Sequence, residues 1–401
     1  PGRCRGDLAA LSSDYGIPVE RGPEDLKDIP EHFQRAARPI DLSRYDIDIF
    51  AEIVDAPQLD VDAILSRARQ YARDGANVID LGCLPQTPFA HLEAAVSALK
   101  SEGFRVSVDS LDSDELLRGG RAGSDYLLSL SVDTLWIADE VASTPVLIPR
   151  QPTDEASLHE AIDTLSARGR AFLADSILDP LPFGFTKAIA RYERLRTRFP
   201  DAPIFIGIGN VTELTEADTS GMNALLLGIA SELRAAAVLT TQVSGHARRA
   251  VREADVARRI LYAAREQQAL AAGFSPALMT VHDKRPFPDS AEEIERTARL
   301  IRDPSYRIQV STRGVHLYNR DGHHVADGPF QLFPHLALKD DVGHAFYLGV
   351  ELGRAEIAWQ LGKRYVQDAP LDWGCAVDRE QEDATGWHAA GPTMSRRPRE
   401  S

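Results

Sequence analysis

A repeated rhythm limits what this chain can fold into. Short apolar runs lie at 47–54, 77–82, 105–109, 126–131, 145–148, 171–178, 204–210 and 236–241, and each reads as a strand. Between them, 61–73, 89–100, 113–121, 134–140, 155–167 and 187–199 read as helices, as do a segment after 210 and a last stretch at 246–264. Ile64, Ala68 and Tyr71 share one helix face; Ile189, Tyr192 and Leu195 share another. The runs 204–208 and 236–239 lack polar alternation, the pattern of parallel strands covered by helices on both faces. Eight strand–helix units in roughly 220 residues predict an α/β fold, a closed (β/α)8 TIM barrel over 46–266. An open doubly wound sheet is the alternative. No Gly-rich dinucleotide turn follows the first strand to support it.

The flanks differ from this core. Residues 1–45 are rich in Pro, Gly and charge and read as a linker with a short helix near 6–12. The chain opens at Pro1 without a Met, so a preceding piece is expected. After 271 the rhythm stops. A helix at 292–301, strands at 306–310 and 314–318, a turn at 319–323 marked by Asp321–Gly322 and a long helix at 342–365 predict a small α+β appendage over 271–375. The polar tail 376–401 reads as disordered. A net charge of −15 argues against nucleic-acid binding and against a polybasic membrane surface. No apolar run approaches the ~18 residues of a membrane span. The sparse cysteines, Cys4, Cys83 and Cys375, fit a reducing cytoplasmic setting and offer no paired metal motif.

Polar residues gather where strands end: Asp55, Asp80, Asp109, Ser129 and Ser131, Asp175 and Asp179, Asn210, and 240–242. In a barrel these ends converge on one mouth. Buried carboxylates cost free energy unless paired or hydrogen-bonded, so their collection there points to a ligand rather than to stability. Ionised Asp accepts hydrogen bonds and Asn both donates and accepts, which suits a flat heterocycle with several N–H donors, such as a pterin. Arg248 and Arg249 open the eighth helix at the mouth, placed for an anionic ligand. Structural roles compete: Asp80 as a loop cap or ion-pair partner, Asp109 as a helix N-cap, Asp179 and Asn210 as turn residues, and Asp175 facing the helices.

Four segments, DGANVIDLG (74–82), RVSVDS (105–110), ILDPLPFGFTKAI (177–189) and IFIGIGN (204–210), resemble in order and spacing the pterin-binding barrels. That superfamily contains dihydropteroate synthase and the methyltetrahydrofolate:corrinoid methyltransferases. With AFYLGVELGRAEIAWQLGKRY (345–365), the whole chain looks like a dihydropteroate synthase-like subgroup of methylotrophs that use tetrahydromethanopterin. The resemblance implies that Asp109 contacts the pterin, that Asp179 binds its pyrimidine edge, and that Asp80 is the aspartate after strand two. Asn210 resembles the asparagine after strand seven of the methyltransferases. Departures are clear. Ser129 or Ser131 stands where the synthases have an asparagine. Their lysine motif becomes FGFTK, with Thr186 at the unshifted position and Lys187 next. The loop after strand two shrinks to GCLPQTPF, and TVHDKR (280–285) only echoes an arginine–histidine pair, leaving Lys284 and Arg285 as phosphate ligands or solvated charges.

The implied activity is a transferase joining a dihydropterin pyrophosphate to an aryl amine in folate or tetrahydromethanopterin biosynthesis. Asp109 and Asp179 would be catalytic. Asp80, Asp109, Ser129, Asp179, Lys187, Asn210 and Arg248 would bind substrate, with Mg2+ or a basic cluster for the pyrophosphate. The alternatives are pterin-dependent methyl transfer with a corrinoid protein partner, and a non-catalytic pterin-binding protein. The helix at 342–365 is the expected face of a homodimer. His316, His323, His324, His335 and His344 crowd the appendage without metal-ligand spacing, so no metal site is assigned. Trp359 and Trp373 read as core.

Overall fold

The computed structural model describes residues 7–20, 22, 29, 33, 40–338 and 341–378. Eight parallel strands are present: β1 (Asp48–Ile53), β2 (Val78–Gly82), β3 (Arg105–Asp109), β4 (Tyr126–Leu130), β5 (Thr144–Leu147), β6 (Leu173–Ala174), β7 (Phe205–Gly207) and β8 (Ala237–Thr241). They pair in the order β6-β5-β4-β3-β2-β1-β8-β7. A parallel bridge from Ala174 to Ile204 joins the two ends and closes the ring. The helices α1 (Val61–Asp74), α2 (Leu92–Ser101), α3 (Ser113–Arg121), α4 (Ile137–Glu140), α5 (Glu155–Ala167), α6 (Phe185–Arg198), α7 (Thr219–Glu232) and α8 (Ala250–Glu266) surround it. This is the (β/α)8 TIM barrel, preceded by a short helix, Leu8–Tyr15.

Side-chain parity explains why the barrel has an acidic interior. Successive residues of a strand point to opposite faces. In β1, Ile49, Ala51 and Ile53 join the core beneath the helices. Phe50 instead packs inside the ring with Val78, Leu128, Val146, Leu173, Phe205 and Ala237. Glu52 shares the parity of Phe50, Asp80 that of Val78, and Asp109 that of Ser107, so all three face the lumen above this apolar floor. Below the floor, Arg258 of α8 ties the ring to its helices. It donates to Ile47 O (2.5 Å), Gly75 O (2.9 Å) and Asp255 Oδ1 (2.6 Å).

Several expectations are adjusted. The sixth strand, expected over 171–178, is only Leu173–Ala174. The chain leaves the sheet at Asp175, whose carboxylate accepts from Ile177 N (2.7 Å), and Ile177 adopts a φ of 64°. The seventh strand stops at Gly207, and Gly209–Thr212 forms a helical turn carrying Asn210. Asp112, accepting from Asp114 N, caps α3, so Asp109 has no capping role.

The appendage is a three-stranded antiparallel sheet, β9 (Arg307–Ser311), β10 (Gly314–Asn319) and β11 (Gly322–Ala326), with helices α9 (Ala291–Ala298) and α10 (Val342–Leu361). α10 buries Leu348, Leu352, Ala355 and Ala358 against Ile308, Val310, Val315 and Leu317. β11 had no strand signal in the sequence: its residues GHHVA are only partly covered and show no apolar face. Trp359 packs partly buried against the appendage core. Lys363 Nζ sits 5.0 Å from the centre of the Trp373 ring. At the end of the described chain, Asp378 pairs with Arg249 and Arg252 of the barrel. Residues 379–401 of the expected tail, and much of the expected linker, lie outside the described residues. Among the described residues no helix is long and apolar enough to cross a membrane.

Candidate functional site

Three adjacent strands gather Glu52, Asp80 and Asp109 in the C-terminal half of the lumen. Register pairs Glu52 with Asp80 across β1–β2, and Asp80 with Ser107 and Gly82 with Asp109 across β2–β3. Asp80 therefore lies one inward-facing layer below Asp109. One carboxylate oxygen from each residue lies within 4.8 Å of the other two. The Ser107 hydroxyl donates to Asp80 Oδ1. Asp80 is wholly buried, and its Oδ2 has no partner among the described residues. Close approach explains Gly82: a Cβ there would meet Glu52 Oε1 at 2.6 Å.

Burial and mutual repulsion dominate the electrostatics. Burial, then the charges of Glu52 and Asp175, push Asp109 up to about 7. Burial, then Glu213, pushes Glu52 up to about 7. Burial, then Asp109 and Glu52, raises Asp80 well above the ordinary carboxylate range, against the Ser107 hydrogen bond. Glu213, on the loop after β7, differs. Burial opposes its charge, but it accepts from Thr241 Oγ1 (2.9 Å), Val243 N (2.8 Å) and Ser244 N (3.0 Å), which together hold it below its ordinary value.

The loop after β6 is bolted to α6 by two consecutive residues. Tyr192 donates its hydroxyl to Asp175. Arg191, 4% exposed, donates to Ile177 O (2.8 Å) and Asp179 Oδ2 (2.8 Å). Burial pushes Asp175 up to about 6 despite the hydrogen bonds from Tyr192 and Ile177. Asp175 shares the parity of Leu173, which packs inside the ring, while its carboxylate is held by Tyr192 of α6. Gly184, with a φ of 140°, leaves room for Asp179; a Cβ there would lie 2.8 Å from Asp179 Oδ2. Asn210 joins the same loop by donating to Leu178 O (3.1 Å).

The other expected residues are placed as follows. Ser129 is half-buried where the register of β4 with β5 shifts, one residue beyond Leu128, whose carbonyl accepts from Ser110 N (2.7 Å). Lys187 is exposed in the first turn of α6. Arg248 lines a cavity of about 500 Å3 with Gln70, Asp74 and Gln242, whose lining includes none of Glu52, Asp80 and Asp109. Asp55 lies outside the lumen and pairs with Arg67 (2.5 Å). Lys284 is exposed. A larger cavity, about 720 Å3, opens beside the acidic lumen and is lined by Cys83, Gln86, Thr87, Ser110 and Arg118. In the appendage the histidines pair: His316 Nδ1 lies 2.9 Å from His323 Nε2, and His324 stacks on His335 at 3.6 Å.

Sequence reasoning missed Glu52 and Glu213. For Glu52 the signal was present: in IDIFAEIV it shares the parity of Phe50. Glu213 has no such mark, because its role depends on donors from the β8 loop.

These raised carboxyls make a stability prediction. A raised folded-state value means the native protein holds protons that the unfolded chain, titrating near 4, has released. Stability is then lost as pH rises from about 4 through about 7. His316, lowered to about 4 mainly by burial, acts oppositely, so the comparison must be with a variant. In the presence of EDTA, Glu52→Gln is expected to flatten the fall in melting temperature between about pH 5 and 8 that the parent shows. Glu52 is surrounded by Asp80, Asp109 and Glu213, and removing its charge relieves all three. Parallel melting curves for the two proteins would reject this.

Comparison with known proteins gives three findings. The family DUF6513, described as a family of unknown function, matches residues 1–24. An uncharacterized protein of Methanocaldococcus jannaschii is 27% identical over 371 residues, 82% of this chain and 70% of that protein. Among solved structures, the dihydropteroate synthase of Yersinia pestis with a pterine–sulfa conjugate is 19% identical, covering 57% of this chain and 95% of that one, with a TM-score of 0.42. The 7,8-dihydropteroate synthase of Vibrio fischeri is 17% identical, covering 56% and 95%, also at 0.42.

Proposed function

We propose that the barrel binds a pterin at its mouth and condenses a dihydropterin pyrophosphate with an aryl amine, the reaction of a dihydropteroate synthase-like transferase. One observation carries this reading. Asp109, Asp179 and Asn210 come from three separate segments that resemble pterin-binding barrels, and all three follow C-terminal strand ends on one rim. Asn210 is hydrogen-bonded to the residue before Asp179 (3.1 Å). Asp179 keeps one oxygen on Arg191 and leaves the other for a ligand N–H. Asp109 has no hydrogen-bond donor among the described residues and faces the opening from β3. Asp80 lies beneath, wholly buried, so in this reading it does not touch the ring.

The chemistry needs little from the protein beyond charge and position. The C–O bond between the pterin methylene and pyrophosphate breaks, and its electron pair leaves on pyrophosphate. The amine nitrogen lone pair forms the new C–N bond, and the surplus amine proton passes to solvent. Positive charge develops on the pterin methylene, and the carboxylates of Asp109 and Asp175 favour it electrostatically. Lys187, exposed at the start of α6, is assigned to the departing anion.

The test uses the purified chain with 6-hydroxymethyl-dihydropterin pyrophosphate. Pterin binding by calorimetry and pyrophosphate release dependent on p-aminobenzoate or its ribosyl phosphate derivative are expected. Binding without release from either amine removes the synthase assignment, and no pterin binding removes the whole reading.

A further inference from the structure

We infer that Glu52, Asp80 and Asp109 hold one hard divalent cation, of the Mg2+ or Mn2+ class, directly and without help from an organic ligand. The first argument is geometric. Oxygens around one six-coordinate ion at about 2.1 Å sit about 3 Å apart as neighbours and about 4.2 Å apart when opposite. The three carboxylates already offer one oxygen each within a 4.8 Å span. They come from adjacent strands of a closed ring, a rigid frame for a ligand set.

The second argument is the orphaned oxygen. Asp80 is 0% exposed, and its Oδ2 meets no donor among the described residues. Leaving a buried polar atom unpartnered is costly, and more so for a carboxylate. Ser107 is the one hydrogen-bond donor to any of the six oxygens among the described residues. Neighbouring acids on the same rim are treated differently. Asp175 has Tyr192 and Ile177 N, Asp179 has Arg191, and Glu213 has Thr241, Val243 and Ser244. Donors are present close by, yet among the described residues only Ser107 reaches these three acids, and a bound cation supplies what is missing. An all-oxygen donor set without thiolate or imidazole selects a hard ion over zinc or copper. Ser107 then acts as the outer partner that orients Asp80.

The site shares Asp109 with the pterin reading, but Glu52 and Asp80 belong to it alone, so it can be tested apart from the pterin. The full chain, stripped with EDTA and dialysed, is titrated with Mn2+ and followed by electron paramagnetic resonance and by melting temperature. One Mn2+ per chain, displaceable by Mg2+ and raising the melting temperature, is expected. Glu52→Gln and Asp80→Asn should each weaken binding by more than tenfold, and Ser107→Ala by about tenfold. Asp133→Asn, an exposed acid paired with Arg150, should leave it unchanged. Folding of each variant is checked by its metal-free melting curve. Absence of saturable Mn2+ binding to the parent, or binding that persists unchanged in both Glu52→Gln and Asp80→Asn, overturns the inference. A parallel pterin titration in EDTA separates the two ideas: pterin bound without an Mn2+ site sinks this one alone, and Mn2+ bound without pterin affinity supports it while removing the functional reading.

Discussion

Asp109→Asn is expected to weaken pterin binding about tenfold to hundredfold while raising the melting temperature of the ligand-free protein. The two effects have opposite signs for one reason. In the free protein Asp109 is a half-buried acid near Glu52 and Asp175, and burial first, then their charges, push it up to about 7. An isosteric amide removes that repulsion and leaves the packing of β3 untouched. With a pterin present, the carboxylate accepts two N–H bonds in the ring plane, whereas the amide turns one acceptor into a donor that meets another donor. Losing a charge-assisted hydrogen bond costs about 1.5–3 kcal/mol, which sets the expected range. Calorimetric titration with the pterin and a melting curve, both on the same preparation, decide the matter. Unchanged affinity would remove Asp109 from the site, whatever the melting curve shows.

Arg258→Ala is expected to lower the melting temperature by about 4–10 °C. Arg258 is 2% exposed and holds four partners at once. Its guanidinium reaches Ile47 O and Asn77 Oδ1, both at 2.5 Å, Gly75 O at 2.9 Å and Asp255 Oδ1 at 2.6 Å, and it lies 3.6 Å from the centre of the Tyr45 ring. Truncation leaves the carbonyls of Ile47 and Gly75 without this donor, beside a carboxylate that keeps only Arg259. Removing one partner of a buried ion pair typically costs about 3–5 kcal/mol. Arg258→Lys keeps the charge but cannot fork to both strands, and an intermediate loss is expected. Differential scanning calorimetry is the measurement, and a fall of less than about 3 °C for the alanine variant would show that the network is dispensable.

The barrel was readable because its signal is local. Each strand is a short apolar run and each helix a stripe at helical spacing, so hydrophobic burial dictates both within windows of a few residues. The same locality placed Asp109 at a strand end; Asp80, expected there too, is the middle residue of β2. Where the chain's path depends on distant partners, reading failed. The sixth strand ends early because, past the ladder bond from Asp175 N to Leu147 O, the Asp175 side chain accepts from Tyr192 and Ile177 N and Ile177 turns the chain at a positive φ. β11 forms because β10 offers it a paired edge, not because GHHVA favours a strand.

The linear chain thus determined the eightfold alternation, the parity that turns acids inward, and a turn within 319–323, which the structure places at Arg320–Asp321. Only the closed ring decided that Glu52, Asp80 and Asp109, separated by up to 57 positions, approach within 4.8 Å, that Asp55 and Arg248 do not join them, and that Ser107 alone attends them among the described residues. The physical reason is that register and barrel closure are collective properties of all eight strands. Local preferences choose the element a residue belongs to, but the ring chooses its neighbours.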